Sequence, residues 1–315
     1  MQSRVRFAPL LSLASLASLA SLLALPLVAI ACGGGEEMPA TPPSPPPAAT
    51  PPSPPTSPGM TGEPSKPGGE TASPPAGKMA PLEIRAAAPP ADPTPLPGVT
   101  IASPRANESV PAAKAGDFEV KLAIKDWPVA KDGPHIHLIL DDKPYHAVHE
   151  PTAKVKLSEL SGGEPIAEGE HVLIAFPSRE THISVKPSGG KKPYSAVVFW
   201  VGKAGKATWK PTDPTLIYSR PKGEYSGADA EKVVLDFYLL NAELGEGKHA
   251  VRATVTPASG MPGTLVAKTW APYELVNLPH GEAKVKLELL DKDGNVVPGR
   301  FNSTERSIKL MRQGM

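Results

Sequence analysis

Six of the eight histidines fall between positions 135 and 182, at 135, 137, 146, 149, 171 and 182. His135 and His137 stand two apart in the run His-Ile-His-Leu-Ile-Leu, and residues i and i+2 of a strand project from one face. If residues 141–144 close a four-residue hairpin loop, Leu140 faces Tyr145 and His146 joins that face beside Ile139. A register one residue different sets His149 opposite His137 instead. Either pairing gathers three imidazoles, with Glu150 or Asp141 nearby, and such N/O ligands suit Zn²⁺ or Cu²⁺. The candidate metal ligands are therefore His135, His137, His146 and His149. The alternative needs no cofactor: His135 and His137 line the solvated face of an antiparallel hairpin while Ile136, Leu138 and Leu140 pack inward. The expectation is no cofactor, with Zn or Cu as the alternative.

Other chemistry is weaker. The segment 177–182 puts Ser178, Arg179, Glu180 and His182 in one loop, but no Gly-x-Ser-x-Gly elbow holds the serine, so no catalytic residues and no enzyme are expected. Asp291-Lys292-Asp293-Gly294-Asn295 carries a trace of a calcium loop without the downstream glutamate, and Asp-Gly between apolar runs is better explained as a hairpin turn. Trp127, Trp200 and Trp270 sit in or beside strands and fill cores. Trp209 and Tyr225 are the candidates for an exposed sugar or partner platform, with packing between domains the favoured alternative.

These residues must be placed by strands. From Val99 onward, short alternating apolar runs separated by Gly, Pro and Asp occur at 99–103, 118–124, 135–140, 145–149, 154–160, 171–176 and 196–201, and no stretch of helical period competes. A second series follows at 216–219, 233–240, 250–255, 265–270, 273–276, 283–290 and 307–311. Gly133-Pro134-His135 matches Gly247-Lys248-His249, and Ser103-Pro104-Arg105 faces Ser219-Arg220-Pro221. A spacing of about 114 residues is too long for a solenoid and suits a duplicated domain. The fold expected is all-β, two tandem Ig-like antiparallel β-sandwiches, 98–204 and 215–315, joined by a connector at 205–214. Both halves resemble the immunoglobulin-like or Greek-key modules of secreted bacterial lipoproteins. Gly133-Pro134-His135-Ile136-His137-Leu138 is similar to the Gly-His-x-His-Leu strand of uncharacterised periplasmic domains, with Pro134 interrupting the spacing. Sandwiches host many functions, so the resemblance selects none.

The remaining third of the chain has a different character. Arg4 and Arg6 precede an apolar run from Ala8 to Ala31, the layout of a secretory signal over 1–31. Ala29-Ile30-Ala31-Cys32 resembles the lipobox of bacterial lipoproteins, with Ala where the pattern prefers Leu. That resemblance implies lipidation of Cys32, the only cysteine, and Gly33 and Gly34 imply the outer rather than the inner membrane. Between Gly33 and Pro97 lie 21 of the 41 prolines and no Phe, Trp, Tyr, Val or Cys. Residues 32–97 are expected to form a disordered, extended stalk, because they bury too little apolar surface to offset the entropy of ordering. The net charge of +1 with no basic stripe excludes nucleic acid. The partners expected are a membrane, through the lipid, and a protein or glycan, with the protein itself monomeric. The function expected is a non-enzymatic, lipid-anchored envelope protein for binding, adhesion or envelope assembly; the alternative is a Zn/Cu-binding protein.

Overall fold

The computed structural model describes residues 80–152 and 154–311. The expected signal, Cys32 and the stalk as far as residue 79 lie outside the described residues. Within them, no helix is long and apolar enough to cross a membrane.

One strand, β1 (Glu83–Ala86), precedes the first sandwich. That sandwich consists of β2 (Gly98–Ser103), β3 (Ser109–Val110), β4 (Glu119–Lys125), β5 (His135–Leu140), β6 (His146–Val148), β7 (Lys154–Lys156), β8 (Gly169–Ser178) and β9 (Ser195–Val201). The second consists of β10 (Thr215–Arg220), β11 (Gly223–Ser226), β12 (Lys232–Leu240), β13 (Ala250–Pro257), β14 (Gly263–Ala267), β15 (Tyr273–Val276), β16 (Gly281–Leu290) and β17 (Ser303–Met311). The first pairs a sheet ordered β2-β4-β7 with one ordered β3-β9-β8-β5-β6. The second repeats this with every number raised by eight, β10-β12-β15 against β11-β17-β16-β13-β14, and β1 added at the edge. The duplication extends to detail. In each half the short second strand runs parallel to the last, β3 to β9 and β11 to β17, and a cis proline, Pro104 or Pro221, follows the first long strand. The chain is thus all-β, built from two Ig-like sandwiches.

The two sandwiches are not beads on a string. Along β12, Leu235, Phe237 and Leu239 enter the core of their own sandwich, while Tyr238 and Leu240 point the other way. There they meet Ile139, Ile174 and Phe176 from the outer face of the β3-β9-β8-β5-β6 sheet. Four sheets are therefore stacked around three apolar layers, one within each sandwich and one between them. The middle layer explains β5, whose six residues are all buried. Ile136, Leu138 and Leu140 fill the first core, and Ile139 fills the layer between the sandwiches. A large apolar side chain removed from water is worth roughly 1.5–3 kcal/mol, so such a layer joins the halves firmly. Trp209, from the connector, is buried in that layer and its Nε1–H donates to Thr215 Oγ1 at 3.0 Å. Tyr225 is buried in the second core. Neither offers an exposed platform; the indole packs between domains.

Polar groups cross the same seam. Lys186 meets Asp236 of β12 at 2.7 Å, and Arg300 meets Asp141 at 2.8 Å. The Asp141 carboxylate also accepts the Val172 N–H and pairs with His171.

The expected stalk boundary at Pro97 requires correction. Leu82, Ile84 and Ala86 alternate with polar residues, and residues 83–86 pair antiparallel with residues 276–273 of β15. Leu82 and Ile84 pack against the second core, and Arg85 forms an ion pair with Glu274 at 2.8 Å. The segment thus carries enough apolar side chains for one edge strand despite the surrounding prolines. The expected strand at 154–160 also ends early, at Lys156. Leu157 to Leu160 form one helical turn, which buries both leucines and is capped where the Lys156 N–H donates to Glu159 Oε1 at 3.0 Å.

Candidate metal centre

The pairing of β5 with β6 decides which imidazoles meet. Ile136 lies across from Val148, His137 from Ala147 and Leu138 from His146. His146 consequently shares the face of Leu138, not that of His137, and stands apart, half-buried near Glu159. One further residue along this register brings His149 opposite His135, and their ring centroids are 5.0 Å apart. Neither register expected from the loop length occurs: the pairing, continued to Leu140, sets it opposite Pro144, so the loop is shorter by one residue than the four assumed.

His135 and His137 are 1% and 0% exposed, so the face expected to be solvated is covered by the second sandwich. The third member of their cluster is His182, which lies outside the hairpin. After β8, Arg179 N–H donates to Ile183 O and His182 N–H to Arg179 O, closing a tight turn with His182 at φ +61°. His tolerates this left-handed conformation better than most residues, and it returns the imidazole over β5. Ser178 in the same loop is fully buried with its hydroxyl donating to Arg179 O at 3.4 Å, which is no arrangement for a nucleophile.

Three ring nitrogens converge. His135 Nε2 is 3.1 Å from His137 Nε2 and 3.1 Å from His182 Nδ1, and all three atoms lie within 4.8 Å of one another. Second contacts orient the rings. His135 Nδ1–H donates to Gly133 O at 2.9 Å, which leaves its Nε2 as a lone pair aimed at the other two nitrogens. His137 Nδ1 lies 3.1 Å from Ser219 Oγ of β10, and Tyr145 Oη lies 3.3 Å from His182 Nδ1. The Tyr145 ring stacks on His137 with centroids 3.5 Å apart. Trp127 Nε1–H donates to His135 O at 3.1 Å, fixing the start of β5. His149 flanks the trio with its Nδ1–H given to Ala130 O, and Asp141, expected as a nearby ligand, is occupied by His171 and Arg300.

The electrostatics keep the imidazoles neutral, the form in which they ligate metals. Burial pushes His137 well below the ordinary value, with His135, His182, Arg220 and Lys222 adding repulsion. Burial first, then Arg220 and His135, takes His182 down to about 3, and burial also lowers His135. Between about 3 and the ordinary 6.5 the unfolded chain therefore binds more protons than the folded one. Stability of the metal-free protein should rise with pH across that window and level off above it. Opposing it in part, His171 is raised: burial would lower it, and its bonds to Asp141 and Ala167 outweigh that. Melting temperatures between pH 4 and pH 8 on the order of one unit apart check this; a His182→Asn variant should flatten the slope, and an unchanged slope would refute the assignment.

Asp291, of the calcium-like segment, uses its carboxylate to accept the N–H groups of Asp293 and Asn295, each at 2.9 Å, and so closes a turn.

No family model matches the chain, and no curated protein matches it. Among solved structures, it is similar to the fibronectin(III)-like modules of Clostridium thermocellum CbhA, with 18% identity over 68% of this chain and 94% of that one and a TM-score of 0.23. A tetra-tandem repeat from the extending region of a large adhesion protein gives 15% identity over 67% and 48%, TM-score 0.21. The FN1–FN3 domains of chicken CNTN1 give 9% over 68% and 65%, TM-score 0.23. Scores this low assign the chain to none of these groups; the fold rests on its own strand pairing.

Proposed function

We propose that this is a lipid-tethered envelope protein whose two joined sandwiches hold a transition metal, Zn²⁺ or Cu²⁺, on His135, His137 and His182. One observation carries the metal: the single lone pair of His135 Nε2 is approached at 3.1 Å by two other ring nitrogens. A lone pair accepts one proton well, whereas an ion at the centre satisfies all three rings. With bonds of about 2.0–2.1 Å, a tetrahedral ion sets its nitrogen ligands roughly 3.3 Å apart, close to the two 3.1 Å separations at His135 Nε2. The Nδ1–H to carbonyl bond of His135 is the outer-shell partner that ligating histidines usually have. Imidazole ligands favour Cu²⁺ over Zn²⁺ in affinity.

Calorimetry of the 80–315 chain with each metal should show one ion bound. His182→Ala should weaken binding by more than about 100-fold, beyond the usual effect of losing an outer-shell group, while His146→Ala should leave it unchanged. Heat no greater than that of a His135→Ala/His137→Ala control would end the metal assignment. A metal-free arrangement also satisfies the rings in part, with Ser219 donating to His137 Nδ1 and His137 Nε2–H donating to His135; that outcome corresponds to the null calorimetric result.

The envelope part rests on the sequence: Cys32 closes an apolar run and a proline-rich segment separates it from the sandwiches. On that footing the broader role is non-enzymatic display for binding, adhesion or envelope assembly. Incorporation of a labelled fatty acid that persists in Cys32→Ala would overturn the lipid anchor.

A further inference from the structure

Beside the histidines stands a group of cations that form no ion pair among the described residues. Arg220, at the end of β10, donates from Nε to Tyr145 Oη at 3.0 Å and from Nη1 to Tyr225 Oη at 3.3 Å. Lys222 donates to Tyr145 O at 2.8 Å, with its Nζ 3.8 Å from the Tyr145 ring centre. Arg306 lies over the Tyr218 ring and donates to the carbonyls of Asp142 and Lys143. Every one of these acceptors is a neutral oxygen, and among the described residues none of the three cations forms an ion pair. Asp236, whose charge also reaches Tyr145, is matched by Lys186.

These charges bear directly on the metal site. Arg220 Nε and His182 Nδ1 share the Tyr145 hydroxyl, at 3.0 and 3.3 Å, and the Lys222 ammonium lies over the same ring, so a divalent ion on the histidines would feel repulsion from both charges. The three imidazoles bring no negative charge to offset it, and three ligands leave one tetrahedral position open. His182, Arg220 and Lys222 are the partly exposed members of the group, while His135 and His137 are buried. His182 and the cations thus lie on the accessible side of the group. Through Tyr145 the distance is short: its hydroxyl touches both Arg220 Nε and His182 Nδ1.

Resting on the metal assignment above, we infer that the ion is taken up together with a small oxyanion, a carboxylate or phosphate, which fills the open position and is held by Arg220. A guanidinium fork suits such an anion, and charge-assisted bonds to it are the strong ones.

The test is titration of the 80–315 chain with Cu²⁺, buffered by a competing chelator, in chloride medium alone and with acetate or phosphate added. The oxyanion should tighten Cu²⁺ binding about tenfold or more, the effect expected of a charge-assisted contact. In Arg220→Met the enhancement should vanish, while binding in chloride stays equal or becomes tighter because a repelling charge has gone. Lys222→Met, which leaves the Arg220 contacts to Tyr145 and Tyr225 in place, should reduce the enhancement and serves if Arg220→Met fails to fold. Whichever of acetate and phosphate acts more strongly identifies the anion. Cu²⁺ binding that is indifferent to both anions, or an enhancement that survives in Arg220→Met, overturns the inference and leaves the metal assignment standing. No Cu²⁺ binding in any medium overturns both.

Discussion

Replacing Lys186 with methionine should destabilise the protein by about 3–5 kcal/mol, the usual result of stripping the partner from a buried charge. Asp236 is fully buried, and the Lys186 ammonium supplies its counter-charge at 2.7 Å. The same ammonium donates to Ser184 Oγ at 2.8 Å and Phe237 O at 3.2 Å, so all three of its protons are used. After the substitution the carboxylate keeps only the Ser184 N–H, at 3.3 Å. Replacing both members, Lys186→Met with Asp236→Leu, should recover most of the loss, because an apolar pair of similar volume often matches a buried ion pair. Urea midpoints of the wild type, both single variants and the double variant measure the coupling. A Lys186→Met protein within about 1 kcal/mol of wild type would show that Asp236 is hydrated or protonated.

The second large effect concerns cooperativity. Phe176 belongs to the first sandwich, yet its ring stacks on Tyr238 of the second at 4.4 Å and meets His137 edge-on at 5.4 Å. It is fully buried. Phe176→Ala should cost about 3–5 kcal/mol, in line with truncating a buried aromatic, and should do so through one unfolding transition for both sandwiches. Were the halves independent, Phe176 would lie on an outer surface, where substitutions change stability by about 0.5 kcal/mol or less. Two transitions, with only the first displaced, would contradict the shared layer.

These two residues also show where sequence reasoning reaches and where it stops. The strand series, the all-β class and the repeat of the whole plan are legible, because alternation of apolar residues and matching Gly and Pro positions are local signals. A sheet covered on both sides is less so: Phe176 and Tyr238 look the same whether their face meets a core or another domain. His135 and His137 were legible as a pair through their spacing of two. The choice between His146 and His149 depended on a loop one residue shorter than assumed, and one residue reverses the faces. His182 was present only as a member of a loop. Its ring reaches His135 through a left-handed turn 47 residues away, a contact no spacing rule could supply. Its one sequence signal is weak: a polar residue tolerant of positive φ in a short connection. The strand at Glu83–Ala86 was hidden by composition, since a window rich in proline averages away four residues of alternation.

That small strand governs how tension would travel. The chain passes Ala80, is clamped along β15 by residues 83–86, and only then continues to β2 at Gly98. A pull arriving from the N-terminal side therefore loads the second sandwich first, although it is the later one in sequence. The first sandwich stays shielded until the β1 rungs separate. Residues 87–97, about 35–40 Å of contour at full extension, follow β1, tied to the second sandwich where the Ala87 N–H donates to Pro272 O at 2.9 Å and to the first where Arg179 Nη2 donates to Ala91 O at 2.8 Å. An eleven-residue connection that seemed a continuation of the tether is thereby a second line of attachment behind a four-residue clip.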